Sequence, residues 1–453
     1  MASFKNTIST LVQLSRTASS CLLSRSRTHI FYISLLLLSV FFVSTSLTER
    51  SPTALASAMA DRLRRAANYF SSFSPVSSSN TCLVSDLRSN CTLSSVTTVE
   101  RAPGNSVKDG RYVIKDLGSC DIFNGNWVLD DSDPVYQPGS CPYIDDSFNC
   151  YKNGRVDFSY LRYRWKPFDC QIPRFDGRKM LKMLRGKRLV FVGDSLNRNM
   201  WESLVCALRE SSKDRRRIFE VFRTQGLYSF RFKDYKCSID FVKSPFLVQE
   251  WKISDKIGTR RETLRLDIIQ GSKYSDADII VFNTGHWWTH QKTNKGKNYF
   301  QEGSHVYSRL EVKEAFAKAL RTWAKWVDVN IDRNRTRVFF VGYSASHFRK
   351  GQWDTGGHCD GETEPIASEA SPAPYPWMMN ILESVIAGMK TPVFYLNITK
   401  MTAYRKDGHP SIYRPAEIPR NPSMIQDCSH WCLPGVPDSW NDLLYATLLI
   451  SGH

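Results

Sequence analysis

The fold of this chain is most clearly indicated by the stretch Arg188-Leu-Val-Phe-Val-Gly-Asp-Ser-Leu-Asn-Arg-Asn-Met-Trp201. Residues 188–192 are rich in β-branched and aromatic side chains and predict a buried strand. Apolar residues then recur at helical spacing, at Met200, Leu204, Val205 and Leu208. Ser195 therefore lies on a strand-to-helix turn. Such a turn brings a small polar side chain to the carboxyl edge of a sheet, beside helix N-terminal N–H groups, and this favours a nucleophile with half an oxyanion hole.

A base for this serine is available near the other end of the chain, in Asp427-Cys-Ser-His-Trp-Cys432. Asp427 precedes His430 by three residues, a spacing that lets the carboxylate bind one ring nitrogen while the other faces the serine. Together the two motifs predict Ser195 as nucleophile, His430 as general base and acid, and Asp427 as the group that orients His430. Either motif alone is weak, because a Gly-Asp-Ser tripeptide is more often only a turn.

The order of motifs along the chain extends this interpretation. It runs from Cys120-Asp-Ile-Phe123 with Gly125-Asn-Trp127, through Gly193-Asp-Ser195 and Asn283-Thr-Gly-His-Trp-Trp288, to Asp427-Cys-Ser-His-Trp-Cys-Leu-Pro-Gly435. From about Cys120 to the carboxyl end, the chain thereby resembles the plant trichome birefringence-like family. That family combines a cysteine-rich amino-terminal segment with a PC-esterase domain of the GDSL/SGNH type. The resemblance implies a polysaccharide O-acetyltransferase that needs an acetyl donor, either acetyl-CoA or an acetylated intermediate, and no bound cofactor or metal.

The predicted fold class is α/β, an SGNH/GDSL-hydrolase-like, mostly parallel sheet flanked by helices, with a smaller disulfide-braced amino-terminal subdomain. A chain of 453 residues is ample for one such core and an appended layer. Strand patterns occur near Leu264–Ile269, Asp278–Phe282, Arg337–Gly342 and Pro392–Leu396, and helical patterns at Val312–Val327, Met378–Met389 and Trp440–Leu449. Their alternation indicates a parallel sheet covered by helices on both faces.

The amino-terminal region predicts membrane attachment. Residues 1–29 carry basic and no acidic side chains, and residues 30–47 are apolar and uncharged, which at about 1.5 Å per residue is barely enough to cross a bilayer. We expect a cytosolic tail (1–29), a transmembrane signal anchor (30–47), a Ser- and Ala-rich disordered stem (48–81), a cysteine-rich segment (82–180) and a catalytic domain (181–453). A cleaved signal peptide is the alternative. A short span suits a single-pass type II protein of the Golgi membrane, with its catalytic domain in the lumen.

Twelve cysteines, all but one after the anchor, indicate an oxidising compartment. A zinc site is the competing explanation, but the Cys428-x3-Cys432 pair encloses a histidine needed elsewhere, and no second Cys-x2-Cys pair completes it. The resemblance implies four bridges, Cys120–Cys170, Cys141–Cys206, Cys150–Cys432 and Cys359–Cys428. Cys82 and Cys91 are then available for each other, and Cys237 is left odd. Three N-glycosylation sequons fit the same compartment, at Asn90, Asn334 and Asn397.

Asn283 follows a predicted strand and therefore lies at the same sheet edge as Ser195. In the resembled fold an asparagine here completes the oxyanion hole, so we expect Asn283 to act with the Ser195 backbone N–H. The sequence departs from that fold in one respect. The separate glycine that many SGNH hydrolases supply after their second strand is not evident, because Ser244-Pro-Phe246 occupies the region.

Five further side chains are candidates for substrate binding, namely Arg198, His286, Trp287, Arg405 and His409. Each has a structural alternative: Arg198 in a salt bridge, His286 and Trp287 as core aromatics, and the Arg405–Pro410 stretch as an ordinary loop. Gly342-Tyr-Ser-Ala-Ser346 also follows a strand, but its last residue breaks the Gly-x-Ser-x-Gly nucleophile elbow.

The net charge of +17 excludes little by itself, because basic runs usually form a solvated face, but it is also what an acidic partner would require. Nucleic acid does not suit a luminal protein, whereas a cell-wall polysaccharide such as glucuronoxylan or pectin does, and xylan is the first expectation. Water and a sugar hydroxyl are interchangeable acceptors for an acyl-enzyme, so a polysaccharide acetylesterase stays open beside the transferase. A non-catalytic protein that bridges or shields pectin is the third hypothesis.

Overall fold

The computed structural model describes residues 120–224, 226–254, 260–367, 374–415 and 426–451. The predicted tail (1–29), anchor (30–47) and stem (48–81) lie outside the described residues, as do Asn90, Cys82 and Cys91. Among the helices of these ranges, none combines the length and apolar character needed to cross a membrane.

The elements alternate along the chain as strand and helix patterns predicted, with additional strands between them. The strands are β1 (Gly125–Leu129), β2 (Tyr163–Pro167), β3 (Arg188–Gly193), β4 (Ile218–Thr224), β5 (Leu227–Phe232), β6 (Cys237–Lys243), β7 (Gln249–Ser254), β8 (Arg260–Arg265), β9 (Ile279–Phe282), β10 (Phe300–Glu302), β11 (His305–Val306), β12 (Arg337–Val341) and β13 (Val393–Leu396). The α-helices are α1 (Gly177–Met183), α2 (Ser195–Ser211), α3 (Val312–Asn330), α4 (Trp377–Ala387), α5 (Thr399–Ala403) and α6 (Val436–Ile450).

The main sheet has the strand order β13-β12-β9-β3-β6-β5-β4. Strands from β13 to β6 pair in parallel, while β5 and β4 form an antiparallel hairpin at one edge. The sheet is therefore mostly parallel, as predicted. Parallel strands carry their carboxyl ends to one edge, so the residues after β3 and β9 are neighbours there.

The two faces of β3 are buried in two different layers of core. Leu189 and Phe191 pack with the helices α2 and α6, whereas Val190 and Val192 pack with α3 and α4. Alternation of side chains along a strand makes this division unavoidable, and a strand buried on both faces is a continuous apolar run. The run Leu-Val-Phe-Val is thus the central strand of a sheet with helices on both faces.

The strand predicted at Leu264–Ile269 is wrong in its bounds and its sheet. β8 ends at Arg265, and it pairs with β7 and β10 in a separate sheet of order β11-β10-β8-β7. The apolar pattern continues past the strand because both Leu264 and Leu266 are buried in the core. Burial in a turn and burial in a strand give the same local signal, and the pattern could not separate them.

The amino-terminal part of the described chain packs into the same core as the main sheet. β1 and β2 form an antiparallel pair, in which Trp165 is buried with the residues of α2 and α6. The indole N–H of Trp165 donates to the Ile122 carbonyl at 3.0 Å, and that of Trp127 donates to the Met401 carbonyl at 2.7 Å. These bonds attach the two-stranded sheet at two separate places.

The described residues contain four disulfides, with the connectivity that the resemblance implied. They join Cys120 to Cys170, Cys141 to Cys206, Cys150 to Cys432 and Cys359 to Cys428. Cys428 and Cys432 belong to different bridges, so neither is free to bind zinc. Within the part of the chain that the structure describes, Cys237 is the one free thiol, and it is buried.

Candidate functional site

Ser195 is the first residue of α2, immediately after the central strand. Asp194 caps the helix, because its side-chain oxygen Oδ1 accepts a hydrogen bond from the Leu196 backbone N–H at 2.9 Å. Asp194 and Leu196 are both buried, whereas Ser195 between them is half-buried. The turn therefore presents only the serine side chain toward solvent.

Gly193 is required by the close approach of Asn283, the residue that follows β9. A Cβ atom at Gly193 would overlap the side-chain oxygen of Asn283. That oxygen accepts from the Asp194 backbone N–H at 3.0 Å, and the Asn283 amide nitrogen donates to Asp194 Oδ1 at 2.9 Å. Asn283, at the end of β9, is thus bound to the turn that follows the neighbouring strand β3. An amide nitrogen carries two hydrogens, so its bond to Asp194 leaves one for another acceptor.

His430 connects Ser195 with Asp427. Its Nε2 atom lies 2.7 Å from Ser195 Oγ, and its Nδ1 atom lies 2.8 Å from Asp427 Oδ2. The other Asp427 oxygen accepts from the backbone N–H groups of Ser429 and His430, at 3.2 and 3.0 Å. Since the carboxylate fixes the proton on Nδ1, Nε2 is the atom available to remove a proton from the serine.

The charges of Asp427 and His430 keep Asp427 ionised and make His430 more basic. Burial opposes the charged forms, but the Asp427 charge and hydrogen bond raise the pKa of His430 above its usual value. In return, His430 and the two backbone N–H groups outweigh burial and hold the pKa of Asp427 well below its usual range. Asp427 therefore stays ionised, and His430 is a stronger base than an ordinary histidine.

Asn199 and Phe148 hold the segment that carries His430. Asn199 lies one helical turn after Ser195 on α2; its side chain accepts from the Trp431 N–H at 2.8 Å and donates to the Trp431 carbonyl at 3.1 Å. The His430 ring packs against Phe148 with ring centres 5.3 Å apart. Neither residue was predicted. The available signal for Asn199 was a polar residue four positions after Ser195, and therefore on the same face of the helix.

Arg198 lies in ion pairs, which was its structural alternative. Its Nη2 atom is 2.7 Å from Asp145 Oδ2, and its Nε atom is 2.9 Å from Glu202 Oε1. The Glu202 side chain is 1% exposed, and burial raises its pKa to about 8. The Arg198 guanidinium, which is 23% exposed, therefore pairs with an ionised Asp145 at neutral pH and becomes the countercharge of Glu202 only as the pH rises toward 8.

The expectation that Arg405 and His409 contact substrate is corrected by their burial. Arg405 is 1% exposed, pairs with Asp407 at 2.9 Å and donates to the Tyr160 carbonyl at 2.6 Å. His409 is 2% exposed and donates from Nδ1 to the His430 carbonyl at 2.7 Å. Both side chains are buried, and they bind groups of the protein instead of facing solvent, because the Arg405–Pro410 stretch lies on the inner side of the His430 segment.

His286 and Trp287 lie beside the turn that carries Ser195. His286 donates from Nε2 to the Ser344 carbonyl at 2.8 Å, stacks on Tyr343, and has Nδ1 3.7 Å from Asp194 Oδ2. Trp287 is half-buried. Trp288, in contrast, is a core residue, 2% exposed.

The other sequence alternatives are resolved by hydrogen bonds. Ser344, the serine of the incomplete elbow, is buried and accepts from the Trp431 indole N–H at 2.8 Å, so it has a structural role. The Ser244 backbone N–H donates to the Gly193 carbonyl at 2.7 Å and is not free to bind an oxyanion. Of the two described sequons, Asn334 is exposed and Asn397 is half-buried, and their glycosylation stays a prediction.

Comparisons with known proteins agree with this architecture. A profile of PC-Esterase, described as a GDSL/SGNH-like acyl-esterase family found in Pmr5 and Cas1p, matches residues 172–447, and the PMR5 N terminal Domain matches residues 118–171. The chain is 61% identical over 421 residues to protein trichome birefringence-like 4 of Arabidopsis thaliana, with 90% of each chain covered.

Two other Arabidopsis proteins are similar over a smaller share of their length. Protein trichome birefringence-like 1 is 59% identical over 75% of this chain and 63% of its own length. Protein trichome birefringence is 58% identical over 74% of this chain and 57% of its own length. The chain therefore spans about six tenths of these two relatives.

The ion pairs of Arg198 give a stability prediction. Arg198→Ala removes this cation, so we expect a loss of about 3 kcal/mol in the free energy of unfolding at pH 9, where Glu202 is ionised, and a smaller loss at pH 6, where it is protonated, both measured by denaturant titration. Adding Glu202→Gln should recover part of this loss, since a neutral amide needs no cation. The control is Arg216→Ala, which removes an exposed arginine that pairs with Asp214. Equal stability of the single and double variants would contradict the assignment.

Proposed function

This chain belongs to the trichome birefringence-like family. We propose that it is an O-acetyltransferase that acts on hydroxyls of a cell-wall polysaccharide. The observation that carries the proposal is the 2.7 Å contact between His430 Nε2 and the oxygen of the half-buried Ser195. A basic imidazole at this distance activates a serine hydroxyl for attack on an acyl carbonyl.

In the proposed reaction, Ser195 Oγ attacks the carbonyl carbon of an acetyl donor while His430 Nε2 takes the hydroxyl proton. The tetrahedral intermediate collapses, the protonated His430 gives its proton to the leaving group, and an acetyl ester on Ser195 remains. A sugar hydroxyl then attacks this ester, His430 accepts the sugar proton, and Ser195 recovers it on release. Asp427 keeps the ring in one tautomer throughout and stabilises the imidazolium.

The negative charge of the tetrahedral intermediate needs hydrogen-bond donors. Ser195 is the first residue of α2, and N–H groups in a first helical turn have no partner within the helix. Asn283 has an amide hydrogen beyond the one bound to Asp194. We therefore propose that the Ser195 backbone N–H and the Asn283 side-chain amide donate to the oxyanion, which lies beside the positive end of the helix.

A cluster of aromatic and basic side chains next to the site supports a polysaccharide acceptor. The exposed Lys292 ammonium lies 4.9 Å from the ring centre of Trp287 and 4.4 Å from that of Trp353. Trp287 follows His286, which contacts the Asp194 turn. Indole faces stack on apolar sugar faces, and an ammonium binds a uronate carboxylate. We propose xylan as the first acceptor, with pectin next.

The proposed location is the Golgi membrane, with residues 30–47 as the anchor and the described part of the chain in the lumen. The four disulfides support an oxidising compartment. Cytosolic proteins rarely keep such bridges.

A polysaccharide acetylesterase is the second candidate. It is favoured by the matched PC-Esterase profile, whose description names acyl-esterases, and by the same serine and histidine geometry, which serves water and a sugar hydroxyl equally. The two activities share the first half-reaction. They differ in which acceptor discharges the acetyl-serine.

The deciding experiment follows the acetyl group by intact-protein mass spectrometry after incubation with an activated acetyl donor. Wild type and the control Ser304→Ala, at an exposed serine, should each gain one acetyl group, and Ser195→Ala should gain none. Added xylan or pectin oligosaccharide should discharge the label faster than water does. Discharge at the rate set by water alone would indicate the esterase. A protein that binds glycan without Ser195 labelling would support the bridging hypothesis.

The raised pKa of His430 predicts the pH dependence of serine labelling. Only the unprotonated ring removes the Ser195 proton, so the labelling rate should rise with pH through a midpoint above 6.5, the usual histidine pKa. Asp427→Asn removes the charge that raises the pKa, so its midpoint should move to lower pH and its maximal rate should fall by roughly 10⁴-fold. Labelling with a fluorophosphonate across pH measures both. An unchanged midpoint in Asp427→Asn would count against this pairing.

The aromatic cluster predicts a defect confined to the acceptor step. Trp287→Ala and Trp353→Ala should each raise the oligosaccharide KM by about tenfold, equivalent to about 1.4 kcal/mol of lost binding. Neither should slow acetylation of Ser195 by a small activated ester. Lys292→Gln should act more strongly on acidic than on neutral oligosaccharides, whereas Lys313→Gln removes the same charge from an exposed position of α3 as its control. Equal effects of the two lysine variants would argue against a local carboxylate contact.

A further inference from the structure

A surface rich in exposed cations lies at the edge of the main sheet opposite Ser195. Its cations belong to three segments, with four exposed Lys or Arg side chains in 177–187, four in 213–217 and three in 231–236. The three segments directly precede β3, β4 and β6, and these strands all begin at the same edge of the sheet. We call this surface the basic face.

Direct contacts hold the three segments of the basic face together. Arg185 Nη1 donates to the Asp234 carbonyl at 3.1 Å, and the Arg185 guanidinium lies 5.1 Å from the ring centre of Tyr235. The Asp234 carboxylate also pairs with Arg217. The Gly186 backbone N–H donates to the Tyr235 carbonyl at 3.0 Å. The basic face is therefore one continuous surface, although its cations come from three separate runs of sequence.

The basic face carries many more cations than acids. The acidic side chains within its three segments are Asp214 and Asp234, and Asp176 and Glu210 lie just outside them in sequence. Pairing leaves the cations accessible, since Arg216 pairs with Asp214 at 3.0 Å and still has 91% of its side chain exposed. Like charges gathered on one surface repel each other, and an anionic partner relieves this repulsion.

We infer that the basic face binds an acidic polysaccharide, a polymer with carboxylates on successive sugars, at a distance from the site of acyl transfer. The choice of this occupant rests on the proposed function, which gives the chain a cell-wall polysaccharide as its acceptor. The face holds one stretch of the polymer while another stretch reaches Ser195.

The side chains of the basic face suit a chain of uronates. Six of its exposed cations are arginines, and the guanidinium fork binds a carboxylate through two parallel hydrogen bonds. Phe219, which is 40% exposed, lies opposite Arg231 in the β4–β5 pair, so an apolar ring is available beside the cations for the face of a sugar. Because the cations are spread over three segments, a polymer contacts many of them at once, whereas a small anion contacts few.

The length of β3 separates the basic face from the reacting serine. This strand has six residues, from Arg188 to Gly193, and at about 3.3 Å per residue it spans about 20 Å. A short oligosaccharide therefore contacts either the basic face or Ser195, whereas a polymer that passes round the molecule contacts both. Binding at the face raises the local concentration of acceptor sugars near Ser195.

Binding of polygalacturonate to the full-length protein tests the basic face directly. The test variant combines Lys182→Gln, Arg216→Gln and Lys233→Gln, one exposed cation from each segment. We expect its Kd for polygalacturonate to rise by roughly tenfold, because each exposed ion pair contributes little and three are lost together. Wild-type binding should weaken as salt screens the charges, and it should be weak at every salt concentration for fully methyl-esterified polygalacturonate.

A matched control removes the same charge from another surface. It combines Lys313→Gln, Arg321→Gln and Lys325→Gln, three exposed cations of α3, and should bind polygalacturonate as wild type does. Kinetics give a second measurement. The KM for polygalacturonate as acceptor should rise in the test variant, whereas the KM for trigalacturonate, which is too short to reach both surfaces, should stay at the wild-type value.

Equal polygalacturonate affinities of the test and control variants would overturn the inference, because net charge alone would then explain any loss. A test variant that loses binding only to phosphatidylserine vesicles would assign the face to a membrane and overturn it too. The binding measurement does not depend on acetyl transfer. A basic face that binds polygalacturonate in a protein whose Ser195 is never labelled would reject the proposed function alone, whereas labelling of Ser195 with unchanged polymer affinity in the test variant would reject this inference alone.

Discussion

The site depends on one constraint: the segment 427–432 must be held against the start of α2, although His430 and Ser195 are 235 residues apart in sequence. Two disulfides anchor this segment, one at Cys428 and one at Cys432. Its backbone is bound at both ends, by Ser411 to Asp427 and by Gly408 to Cys432. Ordering a loop in this position costs conformational entropy, and these long-range bonds offset that cost. A 2.7 Å contact can persist only on such a support.

The nucleophile is supported in a different way, from the sheet. Adjacent parallel strands place Asp194 and Asn283 side by side, and the two side chains bind each other in a space that only a glycine at 193 leaves open. The position of Ser195 is thus fixed by the backbone of the strand-to-helix turn, whereas the position of His430 is fixed by disulfides and side-chain hydrogen bonds.

The cations around the site differ in their exposure: the arginines near Ser195 and His430 are largely buried, whereas Lys292 is exposed. Arg198 and Arg405 lie near Ser195 and His430, but both are already paired with acidic side chains. The cations that remain exposed, such as Lys292, lie at the surface beside indole rings. In the proposed function, acyl transfer takes place where the arginines are already paired with acids, and the surface around it selects between water and a sugar hydroxyl.

Much of this could be derived from the sequence alone. The run 188–192, with its turn and following helix, determined a central strand and the position of Ser195, because a strand buried on both faces must be apolar throughout. The spacing of Asp427 and His430 is also a local feature, so it could be recognised directly in the sequence. Pairing of the cysteines came from the family resemblance and not from spacing.

Tertiary structure decided what each polar side chain faces. Arg405 and His409 have the composition of a binding loop, yet the chain passes beneath the site and buries them. Asn199 binds Trp431, which is 232 residues away in sequence, and no local pattern records such a partner. Most strands and helices of the main sheet, and the choice of Ser195, Asp427 and His430 as candidates, could be read from the sequence, since periodicity and short motifs are local. Only the fold decided exposure and long-range partners, because these depend on which surfaces the packed elements cover.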